Sequence, residues 1–230
     1  MIEGLRRRRR PLIFTVEEAL KYTHLFWDFN GTILSDMQAG MNSVNRMLHD
    51  RGLPIIPDIE AYREIFDFPI REYYRNLGFD FEKEPYEVLA PIWVELYLEN
   101  SRSSGMIDGV DQVVKQIAQT EMSQIVFSAS ERNMLCRQLS DLGLIEYFDQ
   151  VVGLDDIHAE SKLHLARAWR KENPEAKILF VGDTVHDADT AEVLGADCLL
   201  FTGGHQSKTK LLSRGCKTID SIWEILDHIK

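Results

Sequence analysis

The sequence has no long apolar run and only three cysteines among its 230 residues. A membrane-spanning helix needs about 18 or more consecutive apolar residues, and no segment approaches that length. The cysteines at positions 136, 198 and 216 are odd in number, far apart and flanked by apolar residues. That pattern is typical of reduced thiols and not of a disulfide framework or a metal site. These absences predict a cytoplasmic protein that does not bind a membrane.

Positive charge is scarce outside the first ten residues. The formal net charge is −11, and residues 1–10 include five arginines and one glutamate, so residues 11–230 carry −15. Because an acidic body repels a phosphate backbone, we expect no nucleic-acid partner. The run Arg6–Arg10 precedes an apolar stretch too short for the core of a signal peptide. We interpret residues 1–20 as a flexible N-terminal extension and assign it no function.

Short apolar runs alternate with helical patterns from about residue 107 onward. Such strands, separated by helices, indicate a parallel sheet covered on both faces. The predicted fold class is therefore α/β, a doubly wound, Rossmann-like parallel sheet. The predicted strands lie at residues 22–27, 124–128, 150–152, 177–183 and 197–201, and helices are expected at 131–142 and from Ser161 onward.

Residues 36–104 break this rhythm, because four helical stretches occur there without a convincing strand between them. We predict a small α-helical cap inserted after the first strand, with residues 21–35 and 105–230 forming the α/β core. The ends of the insert lie near the expected ligand crevice, so the cap could act as a lid.

Four polar residues stand where a parallel sheet would bring them together. Asp28, Ser128 and Asp183 each fall at the carboxyl end of a predicted strand, and Lys162 lies at the start of the helix after a third strand. In open α/β sheets, ligands bind in the crevice beyond the carboxyl ends of the strands. Each of these residues alone is commonly structural, but their joint placement predicts one site.

This set of residues suits a phosphate ester. Asp28 can attack phosphorus to form an aspartyl-phosphate, and Lys162 supplies compensating positive charge. Because the carboxylates and the phosphate repel one another, we expect Mg²⁺ to be held by Asp28, Asp183 and the backbone carbonyl of Asn30. Asp187 could fix the Lys162 ammonium or a metal-bound water. The predicted phosphate-binding residues are Gly31, Thr32, Ser128, Ala129 and Lys162.

The order of these motifs resembles the haloacid dehalogenase superfamily. Residues 28–32 (Asp-Phe-Asn-Gly-Thr) match its first motif except at the third position, residues 127–128 match the second, Lys162 the third and residues 182–187 the fourth. The resemblance covers residues 23 to about 205. It implies a magnesium-dependent hydrolase of the capped phosphatase branch, similar to phosphoglycolate phosphatase and its relatives.

Asn30 departs from that family's pattern, in which an aspartate at this position protonates the leaving oxygen and then activates water. An amide cannot shuttle a proton, and general acid-base catalysis is typically worth about 10²- to 10⁴-fold in rate. Three interpretations remain. Hydrolysis could be limited to good leaving groups, another residue such as His186 could take over proton transfer, or the protein could be a catalytically weak phosphate-binding or partner-binding regulatory protein.

A carbon-phosphorus hydrolase is a further alternative, because related phosphonate hydrolases also lack an aspartate at the third position. They need a cap lysine for a Schiff base, and Lys83 is the only lysine in residues 36–104. Its acidic neighbours Glu82 and Glu84 favour the charged, non-nucleophilic form. Dehalogenation is favoured still less, because it would dispense with the metal.

The substrate should be recognised by the predicted cap. Phe68 could shape an apolar wall and Arg71 could pair with a substrate carboxylate or second phosphate, although a helix-start arginine that faces water fits the sequence equally well. We expect a small phosphorylated metabolite as the ligand and a monomer or homodimer as the assembly.

Overall fold

The computed structural model describes residues 20–155 and 162–230. Six strands form one sheet in the order β3-β2-β1-β4-β5-β6, and each neighbouring pair is parallel. The strands are β1 (His24–Trp27), β2 (Ser123–Glu131), β3 (Gln150–Leu154), β4 (Ile178–Gly182), β5 (Asp197–Phe201) and β6 (Lys217–Ile219). Of the predicted features, Ser161 and all of the N-terminal extension except Leu20 lie outside the described residues.

Helices flank the sheet and fill the segment between β1 and β2. The helices are α1 (Met37–His49), α2 (Ile59–Ile65), α3 (Ile70–Asn76), α4 (Tyr86–Asn100), α5 (Val110–Ile117), α6 (Arg132–Asp141), α7 (Leu163–Glu172), α8 (Val185–Leu194), α9 (Lys208–Ser213) and α10 (Ile225–His228). The doubly wound α/β fold predicted from the sequence is confirmed.

Both faces of the sheet are buried, which explains why its inner strands read as continuous apolar runs. Successive side chains of a strand point to opposite faces. In β1, Leu25 and Trp27 therefore pack into one hydrophobic cluster with α5, while Phe26 packs into a second cluster with Trp169 of α7. The central strands are thus fixed by apolar contacts on both sides, and their carboxyl ends form a rigid edge.

Two features of the sheet differ from the sequence prediction. Strand β2 runs on to Glu131, past a register irregularity after Phe127, because the segment continues to pair with β3. The edge strand β6 was not predicted. Only Ile219 of its three residues is buried, so it lacks the apolar run that marks the inner strands.

Residues 36–104, here named the helical insert, contain α1–α4 and no strand, and all of these residues are described. The insert has a hydrophobic cluster of its own, which includes Met47, Leu48, Tyr62 and Leu89. No helix in the described ranges is long and apolar enough to cross a bilayer.

Hydrogen bonds connect the helical insert to the loop that follows β5. The Arg63 guanidinium donates to the carbonyls of Gly203 (2.8 Å) and Gly204 (2.9 Å), and the Ser207 N–H donates to the Arg63 carbonyl (3.2 Å). Lys210 of α9 donates to the Phe66 carbonyl at 2.9 Å. These bonds seat α2 against the carboxyl edge of the sheet.

Replacing Arg63 should loosen this contact. Because hydrogen bonds from a charged donor are worth about 1.5–3 kcal/mol, we expect Arg63→Ala to lower the free energy of unfolding by a similar amount and to speed proteolysis within residues 36–104. Arg75→Ala is the matched control, because Arg75 is half exposed and pairs with Glu72 inside the insert. Equal effects of the two substitutions in urea unfolding would contradict this role for Arg63.

Candidate active site

Asp28 stands at the centre of the carboxyl edge, one residue beyond β1. Its N–H donates to the Val181 carbonyl of β4 at 2.8 Å, which extends the β1–β4 pairing and fixes the backbone. The side chain is buried, and its Oδ1 accepts a hydrogen bond from Lys162 Nζ. The structure gives Oδ2 no hydrogen-bond donor among the described residues, so this oxygen is available to a ligand.

Lys162 lies immediately before α7 and reaches the same point from the other side. Its fully buried ammonium donates to Asp28 Oδ1, to Asp187 Oδ1 at 2.6 Å and to the Phe127 carbonyl at 3.2 Å. Burial by itself lowers the pKa of Lys162, but the charges and hydrogen bonds of the two carboxylates outweigh it and raise this pKa above its usual value. The site therefore contains a permanent positive charge.

Asp183 follows β4 directly and is fully buried. Its Oδ1 accepts from Thr32 Oγ1 at 3.1 Å, and its Oδ2 accepts from the backbone N–H of His205 at 2.6 Å. Burial is the main cause that raises the pKa of Asp183 to about 7. Gly31, whose φ is +71°, packs so closely against this carboxylate that a Cβ there would overlap it.

Asp187 is held inside the first turn of α8. Its Oδ2 accepts from the N–H groups of Asp183 (3.1 Å) and Thr184 (2.9 Å) and from Thr184 Oγ1 (2.7 Å), while its Oδ1 accepts from Lys162. Burial alone raises the pKa of Asp187, but the Lys162 ammonium outweighs burial and keeps this pKa below its usual value. The predicted contact between Asp187 and Lys162 is present.

Three carboxylates could hold a cation here. One oxygen each from Asp28, Asp183 and Asp187 lies within 4.8 Å of the others. Asp187 is held by the Lys162 ammonium at Oδ1 and by three donors at Oδ2. Each Asp183 oxygen accepts only one neutral donor and Asp28 Oδ2 accepts none, so Asp28 and Asp183 are the better ligands, as the sequence predicts. Burial and neighbouring carboxylates raise the pKa of Asp28 well above its usual value. Three buried carboxylates beside one ammonium therefore leave excess negative charge, which fits a hard divalent cation such as Mg²⁺.

The predicted phosphate-binding residues surround the same point, but two of their N–H groups are already used. Gly31 N–H donates to the Leu34 carbonyl (2.9 Å) and Asp36 Oδ1 (2.8 Å), and Thr32 N–H lies 3.4 Å from the Phe29 carbonyl. These two donors would have to leave their acceptors to bind phosphate, so this role stays a prediction.

Ser128 remains well placed for a phosphate oxygen. It is buried on β2, and its Oγ accepts the Ser130 N–H at 3.1 Å, which leaves the hydroxyl proton free to be donated. Ala129 follows it on the same strand and is partly exposed. The strand thus presents one hydroxyl donor beside the Lys162 ammonium.

The Asn30 side chain is committed to protein contacts. Its Nδ2 donates to Asp36 Oδ2 at 2.8 Å and to the Tyr97 hydroxyl at 2.7 Å, while its Oδ1 accepts from Ser130 Oγ at 2.8 Å. Asp36, Tyr97 and Ser130 were not predicted as site residues. An aspartate directly before a helix is typical of an N-cap, yet Asp36 makes no side-chain cap bond to α1 and instead faces the site.

Asp36 also forms a buried pair with His205, which lies on the loop after β5. His205 Nε2 is 3.1 Å from Asp36 Oδ1, and its Nδ1 is 2.8 Å from the Tyr62 hydroxyl of α2. Burial alone lowers the pKa of His205, but the charge and hydrogen bond of Asp36, together with the charges of Asp183 and Asp28, outweigh burial and raise this pKa to about 9. His205 was not predicted as a site residue, and no sequence motif marks Asp36 as its partner.

The two predicted specificity residues lie in different places. Phe68 stacks on His186 of α8, with ring centroids 4.7 Å apart and an angle of 26° between the rings. Arg71 pairs with Glu87 and lies over the Tyr86 ring (centroid at 4.8 Å), both within the helical insert. The structure therefore brings Phe68, and not Arg71, to the fourth-motif helix.

Two other candidates for chemistry also have defined positions. His186 is 9% exposed, so it does not face solvent, and its Nε2 has no hydrogen-bond partner in the part of the chain that is described. Burial lowers the pKa of His186. The Lys83 side chain is 85% exposed and pairs with Asp80 at 2.8 Å, and the hydrogen bond that its ammonium donates to Asp80 raises the pKa of Lys83. An exposed, charged lysine does not suit a Schiff base.

Comparisons with known proteins agree with this geometry. The family profile of the haloacid dehalogenase-like hydrolases matches residues 25–201. Among curated proteins, the chain is similar to the tyrosine-protein kinase PtkA of Mycobacterium tuberculosis, with 22% identity over 212 residues that cover 88% of this chain and 72% of the relative.

Solved structures share the fold. A haloacid dehalogenase-like family hydrolase from Streptococcus pneumoniae superposes with a TM-score of 0.78 at 15% identity, covering 91% of this chain and 99% of that one. A predicted phosphoglycolate phosphatase from Haemophilus somnus gives 0.72 at 15% identity, covering 91% and 98%. The structure of M. tuberculosis PtkA gives 0.74 at 20% identity, covering 91% and 99%.

The Asp36–His205 pair makes stability depend on pH. His205 has a pKa of about 9 in the folded state and 6.5 in the unfolded state, so its protonation contributes its full share to the free energy of unfolding below pH 6.5. This contribution is lost as the pH rises through 9. We expect urea unfolding of the metal-free protein to show a fall on the order of 3 kcal/mol between pH 6.5 and 9.5. Asp36→Asn should flatten this dependence, and an unchanged slope in that variant would contradict the assignment.

Proposed function

The chain belongs to the haloacid dehalogenase-like hydrolase family, and we propose that it is a magnesium-dependent phosphatase that hydrolyses a small phosphorylated metabolite in the cytoplasm. One observation carries the proposal. Asp28, at the end of the central strand, has one oxygen held by Lys162 and the other free among the described residues. One Asp28 oxygen also lies within 4.8 Å of an oxygen of Asp183 and an oxygen of Asp187. This arrangement suits a nucleophile that attacks phosphorus.

The proposed reaction has two steps. First, a carboxylate oxygen of Asp28 bonds to phosphorus while the bond to the ester oxygen breaks, and the leaving oxygen takes the electron pair. Second, water attacks the aspartyl-phosphate, releases inorganic phosphate and regenerates the carboxylate. Lys162 and the Ser128 hydroxyl offset the negative charge on the non-bridging oxygens. Bound Mg²⁺, held by Asp28 and Asp183 with the Asn30 carbonyl, would supply further positive charge.

The proposed substrates have good leaving groups. Asn30 cannot protonate the departing oxygen, and its amide is already bonded to Asp36, Tyr97 and Ser130. An acyl phosphate or anhydride needs little protonation, because its leaving group is stable as an anion. Phe68, stacked on His186, would contribute an apolar wall for the rest of the substrate.

Transfer of the phosphoryl group to an acceptor other than water is a second candidate function. Asn30 also cannot activate water for the second step, so the aspartyl-phosphate should persist long enough to meet another acceptor. The similarity to the tyrosine-protein kinase PtkA points to the same class of reaction. A catalytically weak phosphate-binding or regulatory protein is the remaining alternative, and it predicts no phosphoenzyme.

The leaving-group preference can be measured directly. With Mg²⁺ present, we expect kcat/KM for acetyl phosphate to exceed that for glycerol phosphate by about 100-fold or more, because the missing acid is typically worth that factor. Asp28→Asn should abolish both activities and the borohydride-trapped aspartyl-phosphate. Turnover that survives Asp28→Asn would rule out the proposed nucleophile. Absence of both turnover and phosphoenzyme in the unsubstituted protein would favour the binding protein.

Metal binding should depend on pH through Asp183. Because its pKa is raised to about 7, the carboxylate must lose a proton to bind Mg²⁺ at lower pH. We expect the apparent affinity, measured by Mg²⁺-dependent thermal stabilisation, to be about 30-fold weaker at pH 5.5 than at pH 8. Asp183→Asn is the matched variant and should remove most of the stabilisation. An equal Mg²⁺ effect in that variant would place the metal elsewhere.

A further inference from the structure

We propose that Asn30 is a positioning residue that locks the helical insert onto the core, and that the carboxylate of Asp36 is the reason an amide stands at position 30. This inference rests on the proposed function, because it concerns the position where the family's catalytic acid is normally found. Asn30 and Asp36 are coupled, because the side chain at each position restricts which side chains the other position tolerates.

The first argument is the match of donors and acceptors around the amide. Asn30 uses both Nδ2 protons, toward Asp36 Oδ2 (2.8 Å) and the Tyr97 hydroxyl (2.7 Å), and its Oδ1 accepts from Ser130 (2.8 Å). Tyr97 in turn donates to Asp36 Oδ2 at 2.6 Å. An ionised aspartate at position 30 has no proton to donate, and its charge would face the buried Asp36 carboxylate.

The second argument is that the hydrogen bonds of Asn30 link the helical insert to the core. Tyr97 belongs to α4 of the helical insert, Asp36 directly precedes α1, and Ser130 belongs to β2 of the core. The amide thus joins the first residue of the insert, its last α-helix and the sheet at one point. Opening the insert would separate these groups and break at least one of the bonds.

The third argument is that Asp36 is itself fixed by the core. Its Oδ1 accepts from the Gly31 N–H at 2.8 Å and lies 3.1 Å from His205 Nε2. Asp36 is 1% exposed, so its carboxylate cannot turn to water to escape a second charge. A proton-shuttling aspartate at position 30 must pass through its ionised form, and that charge would then face the Asp36 carboxylate.

A double-mutant cycle tests this coupling without depending on activity. Asn30→Asp should raise the equilibrium constant of unfolding about ten-fold or more when Asp36 is present. In the Asp36→Asn background the same substitution should raise it less than about three-fold, because the second carboxylate is then gone. Equal effects in the two backgrounds would overturn the proposal. The measurement is urea unfolding of the metal-free full-length chain at pH 7.

A milder variant keeps the test available if Asn30→Asp does not fold. Tyr97→Phe removes only the hydroxyl, and we expect hydrogen exchange of the amides in α4 to quicken about ten-fold or more while exchange in β1 and β4 stays unchanged. Tyr73→Phe is the matched control, since the buried Tyr73 hydroxyl in the same insert has no partner among the described residues. Equal hydrogen-exchange rates of the α4 amides in Tyr97→Phe and Tyr73→Phe would contradict the proposal that these hydrogen bonds hold the insert on the core.

Activity separates this inference from the proposed function. Asn30→Asp alone should not raise hydrolysis of glycerol phosphate, whereas Asn30→Asp combined with Asp36→Asn should exceed the single variant about ten-fold or more. A raised rate in Asn30→Asp alone would overturn the inference. Stability coupling without turnover in any of the four proteins would support the positioning role and contradict the hydrolase.

Discussion

The burial of three carboxylates around a single lysine ammonium is the constraint on which the rest of the site depends. Asp28, Asp183 and Asp187 are 7%, 0% and 2% exposed, so none of them can rely on water to stabilise its charge. Lys162 donates to one oxygen each of Asp28 and Asp187, and backbone and hydroxyl donors satisfy Asp187 Oδ2 and both oxygens of Asp183. Only Asp28 Oδ2 has no donor among the described residues. When all three carboxylates are ionised, the negative charge that is left could be offset by a bound cation.

The fold supplies the rigidity that such a cluster needs. Strand β1 lies between β2 and β4, and its side chains are packed on both faces, so Asp28 is delivered at a fixed point. Glycines let the surrounding loops approach the carboxylates closely. At Gly31 and Gly204 a Cβ would overlap Asp183, so only glycine fits without displacing that carboxylate. The chemistry of the edge is therefore tied to the packing beneath it.

The features that were predicted correctly are those with a signal in a short stretch of sequence. Apolar runs identify the inner strands, and positions at strand and helix ends identify Asp28, Lys162, Asp183 and Asp187. Strand β6 was missed because only one of its residues is buried. The Asp36–His205 pair joins residues 169 positions apart and has no motif. The partner of Arg71 could not be predicted from the sequence. An arginine at the start of a helix can face a ligand or a neighbouring carboxylate such as Glu87, and only the folded structure shows which of the two it contacts.

Asn30 shows why a single departure from a family pattern is best understood through its neighbours. From the sequence, the amide is only a missing acid. In the structure both of its N–H protons and its carbonyl oxygen are hydrogen-bonded to groups of the insert and the core, next to the Asp36 carboxylate. Under the proposed function, the loss of acid-base catalysis and the closure of the insert would be two consequences of one side chain, which favours substrates whose leaving groups depart without protonation.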